Sequence, residues 1–141
     1  MNIQTTDPVA EPSAVLYKRC TVDLASGQQS IVDVPCRNLE DVLGGFGRSF
    51  QDLAQRDITT AYCDENPLIV NTGLLTGSGV MTGLRTYFSG YSPIKGSKKG
   101  LPAAMWSTGS GKFGAKFKWT GLDELIFENR SAQPVYVVIR E

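Results

Sequence analysis

Glycine is concentrated in the middle of this chain and strongly constrains how that part can fold. Eleven of the fifteen glycines lie between Asn66 and Leu122, and the stretch "GLLTGSGVMTGLRTYF", residues 73–88, contains four of them. Because glycine has no Cβ, it adopts positive φ without strain and lets backbone amides approach a ligand closely. The stretch therefore predicts a tight loop whose backbone can contact an anion.

The charge of the same middle segment points to the same kind of ligand. The segment contains no acidic residue and carries a charge of +7, while the two ends together carry −7, so the net charge of zero hides a segregated chain. Oriented amides and cationic side chains favour an anionic partner. Solvated loops whose lysines serve solubility are the alternative. The basic residues are Arg85, Lys95, Lys98, Lys99, Lys112, Lys116 and Lys118.

Length and residue types exclude several classes of protein. A chain of 141 residues is a single domain or a piece of one. It lacks histidine, which is the commonest general base and transition-metal ligand. Cys20, Cys36 and Cys63 are odd in number and contain no C-x-x-C pair, so we expect small buried hydrophobic residues. No apolar run approaches the ~20 residues that cross a bilayer, and no signal peptide is visible. These features predict a cytoplasmic protein without a membrane partner.

The order of apolar and turn-forming residues predicts mostly strands. Residues 1–14 are expected to form a disordered arm, and residues 15–141 one domain. "VLYKRCTVDL" and "QSIVDVP" predict a hairpin, "NPLIVNTG" and "LRTYFSGYSP" predict strands, and "LDELIFENRSAQPVYVVIRE" predicts two strands around the turn "NRSAQ".

The sequence predicts helix in one segment, which glycines interrupt. Asn38 is the expected N-cap of "LEDVLGGFGRSFQDLAQR", and the glycines of "LGGFG" divide this segment into two short helical pieces with a tight bend between them.

Neither standard phosphate loop fits the glycine spacing. Gly77, Gly79 and Gly83 have the spacing G-x-G-x-x-x-G and lead into a strand, whereas the dinucleotide motif is G-x-G-x-x-G and begins a helix. Gly111 and Lys112 are followed by phenylalanine, so they do not form a Walker A motif. The residues alone therefore indicate an anion-binding, glycine-rich β domain.

Two long stretches resemble a known family. "NPLIVNTGLLTGSGVMTGLRTYFSGYSPIKG", followed by "STGSGKFGAKFKWTGLDELIFENRSAQPVYVVI", is similar to the N-terminal part of the tungsten-containing aldehyde:ferredoxin oxidoreductases. The hairpin "CTVDLASG" and the bend "LGGFG" occur in the same order, so the resemblance covers roughly residues 16–140. It implies an α+β fold that is β-rich, mainly antiparallel and barrel-like, with a few short helices.

The resemblance also implies a cofactor. The family's N-terminal domain cradles a bis-pterin tungsten or molybdenum cofactor whose phosphates are bridged by magnesium. Arg85 occupies the position of the pterin-contacting arginine, where a planar, permanently charged group is suited to the task. A strand-edge arginine that covers apolar surface is the alternative. The other implied cofactor-binding residues are Gly77, Gly79, Gly83, Thr108, Gly109, Ser110, Gly111 and Lys112.

For one segment, the periodicity of the apolar residues and the family resemblance predict different secondary structures. In "STGSGKFGAKFKW" the apolar residues alternate with lysines, which predicts a strand, whereas the resemblance implies a helix that begins after the turn "TGSG". We follow the family. Two departures concern the cofactor: Phe46 stands where the family has arginine, and Thr108 stands where it has the asparagine that helps to hold magnesium.

The family's enzymes are several times longer than this chain, so we do not expect a complete enzyme. Their cluster cysteines and substrate pocket lie beyond the matched region, which implies no iron–sulfur cluster here and a larger partner subunit that carries a 4Fe-4S cluster, or else self-association. A partner-binding surface containing Leu74, Leu75, Val80, Met81 and Trp106 is expected. The alternative is a non-catalytic module that binds an anion or a protein; nucleic acid is disfavoured because no recognition helix or RNP-type aromatic pattern is present.

We predict that the purified chain alone is colourless and inactive. It lacks the ligands for a cluster and an acid–base pair suited to carbonyl oxidation. Absorption spectroscopy tests this prediction, and a 4Fe-4S band in the isolated chain would contradict it.

Overall fold

The computed structural model describes residues 16–35, 42–80, 83–96 and 100–140. Six strands and two helices are assigned within them. In chain order they are β1 (Leu16–Asp23), β2 (Gln29–Pro35), α1 (Phe46–Ala54), β3 (Leu68–Thr72), β4 (Thr86–Gly96), β5 (Pro102–Gly109), α2 (Lys112–Trp119) and β6 (Glu124–Glu128). The expected arm at residues 1–14, Cys36, the expected N-cap Asn38, and Met81 lie outside the described residues.

All six strands belong to one mixed sheet. Their order is β2-β1-β6-β3-β4-β5, in which β1 and β6 are parallel and the other neighbours are antiparallel. The β-rich α+β class is therefore confirmed. The described strands leave β2 and β5 at the two edges, so this sheet is open and lacks the closure that a barrel-like form would require.

Most predicted elements occur where the sequence places them. The β1–β2 hairpin, β3, β4 and β6 are confirmed, and residues 112–119 form the helix that the family implies. Strand β5 was not predicted, because only the turn "TGSG" at its end was recognised in the sequence. Within the described part of the helical segment, residues 42–56, one helix occurs, α1, which begins at Phe46 after Gly44 and Gly45; residues 39–41 of the first predicted piece lie outside the described residues.

The strand predicted at the end of the chain is not observed. Residues 134–140 belong to no helix or strand, although their sequence is rich in β-branched residues. The physical reason is the lack of a pairing partner among the described residues, since a strand forms only where a neighbouring strand accepts its hydrogen bonds.

Each face of the sheet carries its own apolar core. On one face, α1 contributes Leu53 to a cluster with Ile69 and Ile126. On the other face, α2 contributes Phe117 to a cluster with Val70 and Leu125. Because successive residues of a strand point to opposite faces, the pairs 69–70 and 125–126 divide between the two cores.

A polar row crosses the face that is covered by α1. Arg19, Glu124 and Asn71 are cross-strand neighbours on β1, β6 and β3. Arg19 pairs with Glu124 and also with Asp52 of α1. Asn71 donates from Nδ2 to Ser49 Oγ of α1 at 2.8 Å. These bonds attach α1 to the three central strands.

Glu124 is fully buried within this row. Burial raises the pKa of its carboxyl group above the ordinary value, and the positive charge of Arg19 only partly opposes this effect. The charged form is therefore less favoured here than in water, and it depends on its hydrogen-bonded partners.

Neither described helix is long and apolar enough to span a bilayer.

The raised pKa of Glu124 predicts an unusual pH dependence. A group whose pKa is higher in the folded state binds protons more readily there, so acidification stabilises the folded state until the ordinary value of 4.5 is reached. We expect the free energy of unfolding of the wild type, measured relative to Glu124→Gln, to increase as the pH is lowered from neutral toward 4.5. Urea denaturation at several pH values tests this, and a relative stability that falls on acidification would contradict the assignment.

Candidate functional site

The candidate site is a cavity, here called the Arg85 cavity, that lies where the glycine loop joins β3 and β4. Its volume is about 430 Å³. Its walls come from three separate parts of the chain: the bend before α1, the loop after β3 and the start of β4. The lining residues are Leu43, Gly44, Gly45, Phe46, Gly73, Leu74, Leu75, Thr76, Val80, Gly83, Arg85 and Tyr87.

The bend before α1 is hydrogen-bonded to the chain that leaves β3. The amide of Gly45 donates to Thr72 O at 3.1 Å, and the amide of Leu74 donates to Leu43 O at 3.2 Å. Gly45 has φ of 62°, and a Cβ at this position would lie 2.9 Å from the ring of Tyr87. Glycine is therefore required both by the backbone conformation and by the packing of the cavity wall.

Aromatic rings form the adjoining wall. The ring of Phe46 stacks on Trp106 with centroids 5.2 Å apart and an interplanar angle of 16°. It also contacts Tyr87, with centroids 5.7 Å apart. Phe46 and Trp106 are 42% and 50% exposed, so this aromatic group remains accessible beside the cavity.

Arg85 supplies the cationic group among the cavity-lining side chains. Its Nη1 donates to Thr108 Oγ1 at 3.0 Å. Thr108 is the cross-strand partner of Tyr87, which follows Arg85 by two residues along the chain. The guanidinium is exposed and retains further donors for a ligand. The structure thus brings together Arg85 and Thr108, two of the residues that the sequence singled out.

The glycine loop satisfies much of its own backbone. The amide of Gly77 donates to Gly83 O, and the amide of Gly83 donates to Val80 O, both at 3.1 Å. A Cβ on Gly83 would lie 2.7 Å from Leu75 O. These two glycines therefore shape the loop, and their amides are already engaged within it.

Other predicted residues lie at a second cavity, here called the Lys112 cavity, of about 610 Å³. It adjoins α2, and the indole Nε1 of Trp119 donates to Gly77 O at 3.3 Å there. Gly83 and Val80 line both cavities, so the glycine loop separates them. The lining residues are Gly77, Gly79, Val80, Gly83, Leu84, Lys112, Ala115, Lys116 and Trp119.

The segment from Thr108 to Lys112 connects β5 to α2. Gly109 ends β5, Ser110 and Gly111 are exposed, and Lys112 begins the helix. A Cβ on Gly111 would meet nothing within 4 Å, and the same is true of Gly79. These two glycines leave their backbone open to an approaching group.

Sequence reasoning missed the contribution of the bend before α1. "LGGFG" was identified as a family feature, but no signal in the sequence shows that Gly44 forms a bridge with Gly73. Tyr87 and Thr76 were also missed, since each looks like an ordinary strand or loop residue.

The apolar residues expected on a partner-binding surface are exposed. Leu74, Leu75, Val80 and Trp106 have between 39% and 59% of their surface accessible. Among the described residues, no group of three or more His, Cys, Asp or Glu side chains is placed to hold a metal ion. Cys20 is buried, which raises the pKa of its thiol, and Cys63 is partly buried.

Comparisons with known proteins agree on one family. The model of the aldehyde ferredoxin oxidoreductase N-terminal domain matches residues 19–141. The tungsten-containing aldehyde ferredoxin oxidoreductase of Pyrococcus horikoshii is 36% identical over 97 residues, which is 69% of this chain and 15% of the relative. That of Thermococcus kodakarensis is 38% identical over 77 residues, which is 55% of this chain and 12% of the relative.

A solved structure shares the fold. The active-site complex BamBC of benzoyl coenzyme A reductase, solved with 1,5-dienoyl-CoA, superposes with a TM-score of 0.73 and 29% identity. The match covers 84% of this chain and 18% of that chain. The present chain therefore spans less than a fifth of the proteins that it matches.

The cavity wall yields a prediction for Gly45. Gly45→Ala should destabilise the fold by about 2–4 kcal/mol, because it combines a strained positive φ with a clash against Tyr87. The matched control is Gly27→Ala, which has φ of 73° but nothing within 4 Å of the new Cβ. It should lose only about 1 kcal/mol. Urea denaturation compares the two, and equal losses would show that the contact with Tyr87 is unimportant.

Proposed function

Because this chain belongs to the aldehyde ferredoxin oxidoreductase N-terminal domain family, we propose that it cradles the cofactor of a tungsten or molybdenum pterin oxidoreductase that acts on aldehydes or carboxylic acids. The chain spans only 15% of its relative from Pyrococcus horikoshii. We therefore assign the 4Fe-4S cluster and the substrate pocket to a larger cytoplasmic partner chain of the same family. The present chain is inactive without that partner.

The observation that carries this proposal is the position of Arg85 at the cavity. The guanidinium is exposed, it is oriented by Thr108 at 3.0 Å, and apolar and aromatic residues surround it. A cation beside apolar walls favours a flat, anionic, hydrogen-bonding ligand, because the guanidinium offers a planar set of charged donors and the walls offer apolar contact. A pterin with its phosphate has these properties.

The residues present fit such a cofactor in part. Gly79 and Gly111 have open space over their backbone, and Lys112 adds a cation next to Gly111. Gly77 and Gly83 differ, because their amides donate within the loop. We therefore propose that Arg85, Thr108, Gly79, and the residues from Gly109 to Lys112 contact the cofactor, while Gly77 and Gly83 maintain the shape of the loop.

When bound, the cofactor supplies the redox-active metal, and this chain binds and orients the organic part. The described residues offer no cluster of carboxylates to hold magnesium, so this chain would contribute cations and amide donors to the phosphates of the cofactor. The bound surface would also be shielded from water by the exposed side chains of Leu74, Leu75 and Val80 once the partner covers them.

The test is retention of the cofactor by a complex of this chain with the larger family chain. Arg85→Ala should weaken retention by about 2 kcal/mol or more, the scale for removing the charged partner of a desolvated anion. Arg85→Lys should restore little, because an ammonium group cannot reproduce the planar arrangement of donors. Tungsten, molybdenum and pterin contents of the purified complexes are measured.

The matched control is Arg130→Ala. Arg130 is also exposed, and its ion pair with Asp64, at 3.8 Å, lies away from the residues that line the Arg85 cavity. The Arg130→Ala complex should retain the cofactor as the wild type does. Equal retention in all four proteins would contradict a pterin-binding role and would favour a non-catalytic module that binds a protein or another anion.

A further inference from the structure

The segment from Pro134 to Arg140, here called the terminal segment, is the most exposed apolar part of the described chain. Val135, Tyr136, Val137 and Val138 are 58%, 89%, 46% and 53% exposed. The segment belongs to no helix or strand. Four consecutive apolar side chains that remain this exposed are unusual on the surface of an isolated domain.

The sequence of the terminal segment is typical of a strand that is buried on both faces. Residues 135–139 read "VYVVI", without a charge or a glycine. Successive side chains of a strand point to opposite faces, so a continuous apolar run indicates cover on both sides. The segment therefore has the composition of a strand covered on both faces, but the described residues supply neither a neighbouring strand nor that cover.

Strand β2, at one edge of the sheet, differs from the terminal segment because it carries polar and charged residues. That strand carries Gln29, Ser30 and Asp33, and Asp33 forms an ion pair with Lys18 at 3.8 Å. Charged and polar side chains of this kind discourage pairing with another chain. The terminal segment has no such protection between Pro134 and Arg140.

A cavity beside the segment provides a second observation. Ile139 is partly buried against the α2-side core, and it lines a cavity of about 500 Å³ together with Phe113 and Trp119. Both aromatic rings are at least 50% exposed. The segment is thus fixed at one end next to an apolar hollow that can receive side chains.

We propose that the terminal segment is a strand that pairs with an extended strand of the larger family chain. This inference rests on the proposed function, which requires such a partner. The region matched here occupies only 12–18% of the length of the relatives and of the BamBC chain. Proteins of this fold therefore contain further polypeptide that can cover the segment. Backbone bonds give such pairing its affinity, and the cavity beside Ile139 receives an apolar side chain of the added strand.

Two proline substitutions test the pairing and serve as controls for each other. Alternate amides of a strand point to opposite edges, so Val137→Pro and Val138→Pro remove donors on different edges. Both positions are about half exposed, so neither change should disturb the cores. Pairing along one edge predicts that one variant loses about tenfold or more in affinity for the coexpressed larger chain, while the other stays within about threefold.

Hydrogen exchange of the complex provides an independent readout. The amides of residues 135–139 should exchange more slowly in the complex than in the free chain, and only alternate ones should be strongly protected. Far-UV circular dichroism of both variants confirms that each remains folded.

The outcomes separate this inference from the proposed function. A wild-type chain that binds no larger family chain contradicts the proposed function itself. Normal binding by both proline variants, equal loss in both, or unchanged exchange would overturn the strand pairing alone. A wild-type homodimer that one proline variant dissociates would show that a second copy occupies the segment, which overturns the proposed occupant.

Discussion

A fully buried carboxylate holds the centre of this fold together. Glu124 lies between Arg19 and Asn71 on neighbouring strands, and Arg19 extends the network to Asp52 of α1. Removing one partner of such a buried pair typically destabilises a protein by about 3–5 kcal/mol, because the remaining charge is left without compensation. The network therefore specifies which strands are neighbours and where α1 must lie on the sheet.

The same row of residues continues to the candidate site. Asn71 is the cross-strand neighbour of Tyr87, and Tyr87 is the neighbour of Thr108, which accepts the hydrogen bond from Arg85. The network that attaches α1 also places the bend at Gly45, since this bend directly precedes the helix and bonds to Thr72. The floor and one wall of the Arg85 cavity are thus fixed by bonds made in the centre of the sheet. A cationic site benefits from this rigidity, because its donors need little reorganisation to meet a ligand.

The sequence predicts the local elements better than the contacts between them. The β1–β2 hairpin and strands β3, β4 and β6 follow from short apolar or alternating runs that are bounded by turn-forming residues. Strand β5 escaped prediction because its burial is weak on both faces, and α2 was predicted from family resemblance against its own periodicity. At the site, Arg85 and Thr108 were identified from their positions. The pairing of Glu124 with Arg19, 105 residues earlier, could not be foreseen, because periodicity carries no information on contacts between distant parts of the chain.

The division of the middle segment between two cavities follows from the sheet itself. Thr86 and Tyr87 are adjacent on β4, so their side chains point to opposite faces, one toward α2 and the other toward α1. The cations of the segment are separated in the same way: Arg85 lines one cavity, and Lys112 and Lys116 line the other. The glycine loop lies between them and contributes Gly83 to both. A ligand that contacted Arg85 and these two lysines would therefore have to extend over this loop from one cavity to the other. An elongated anion with charged groups at separate points meets that requirement, whereas a single small phosphate could contact only one side.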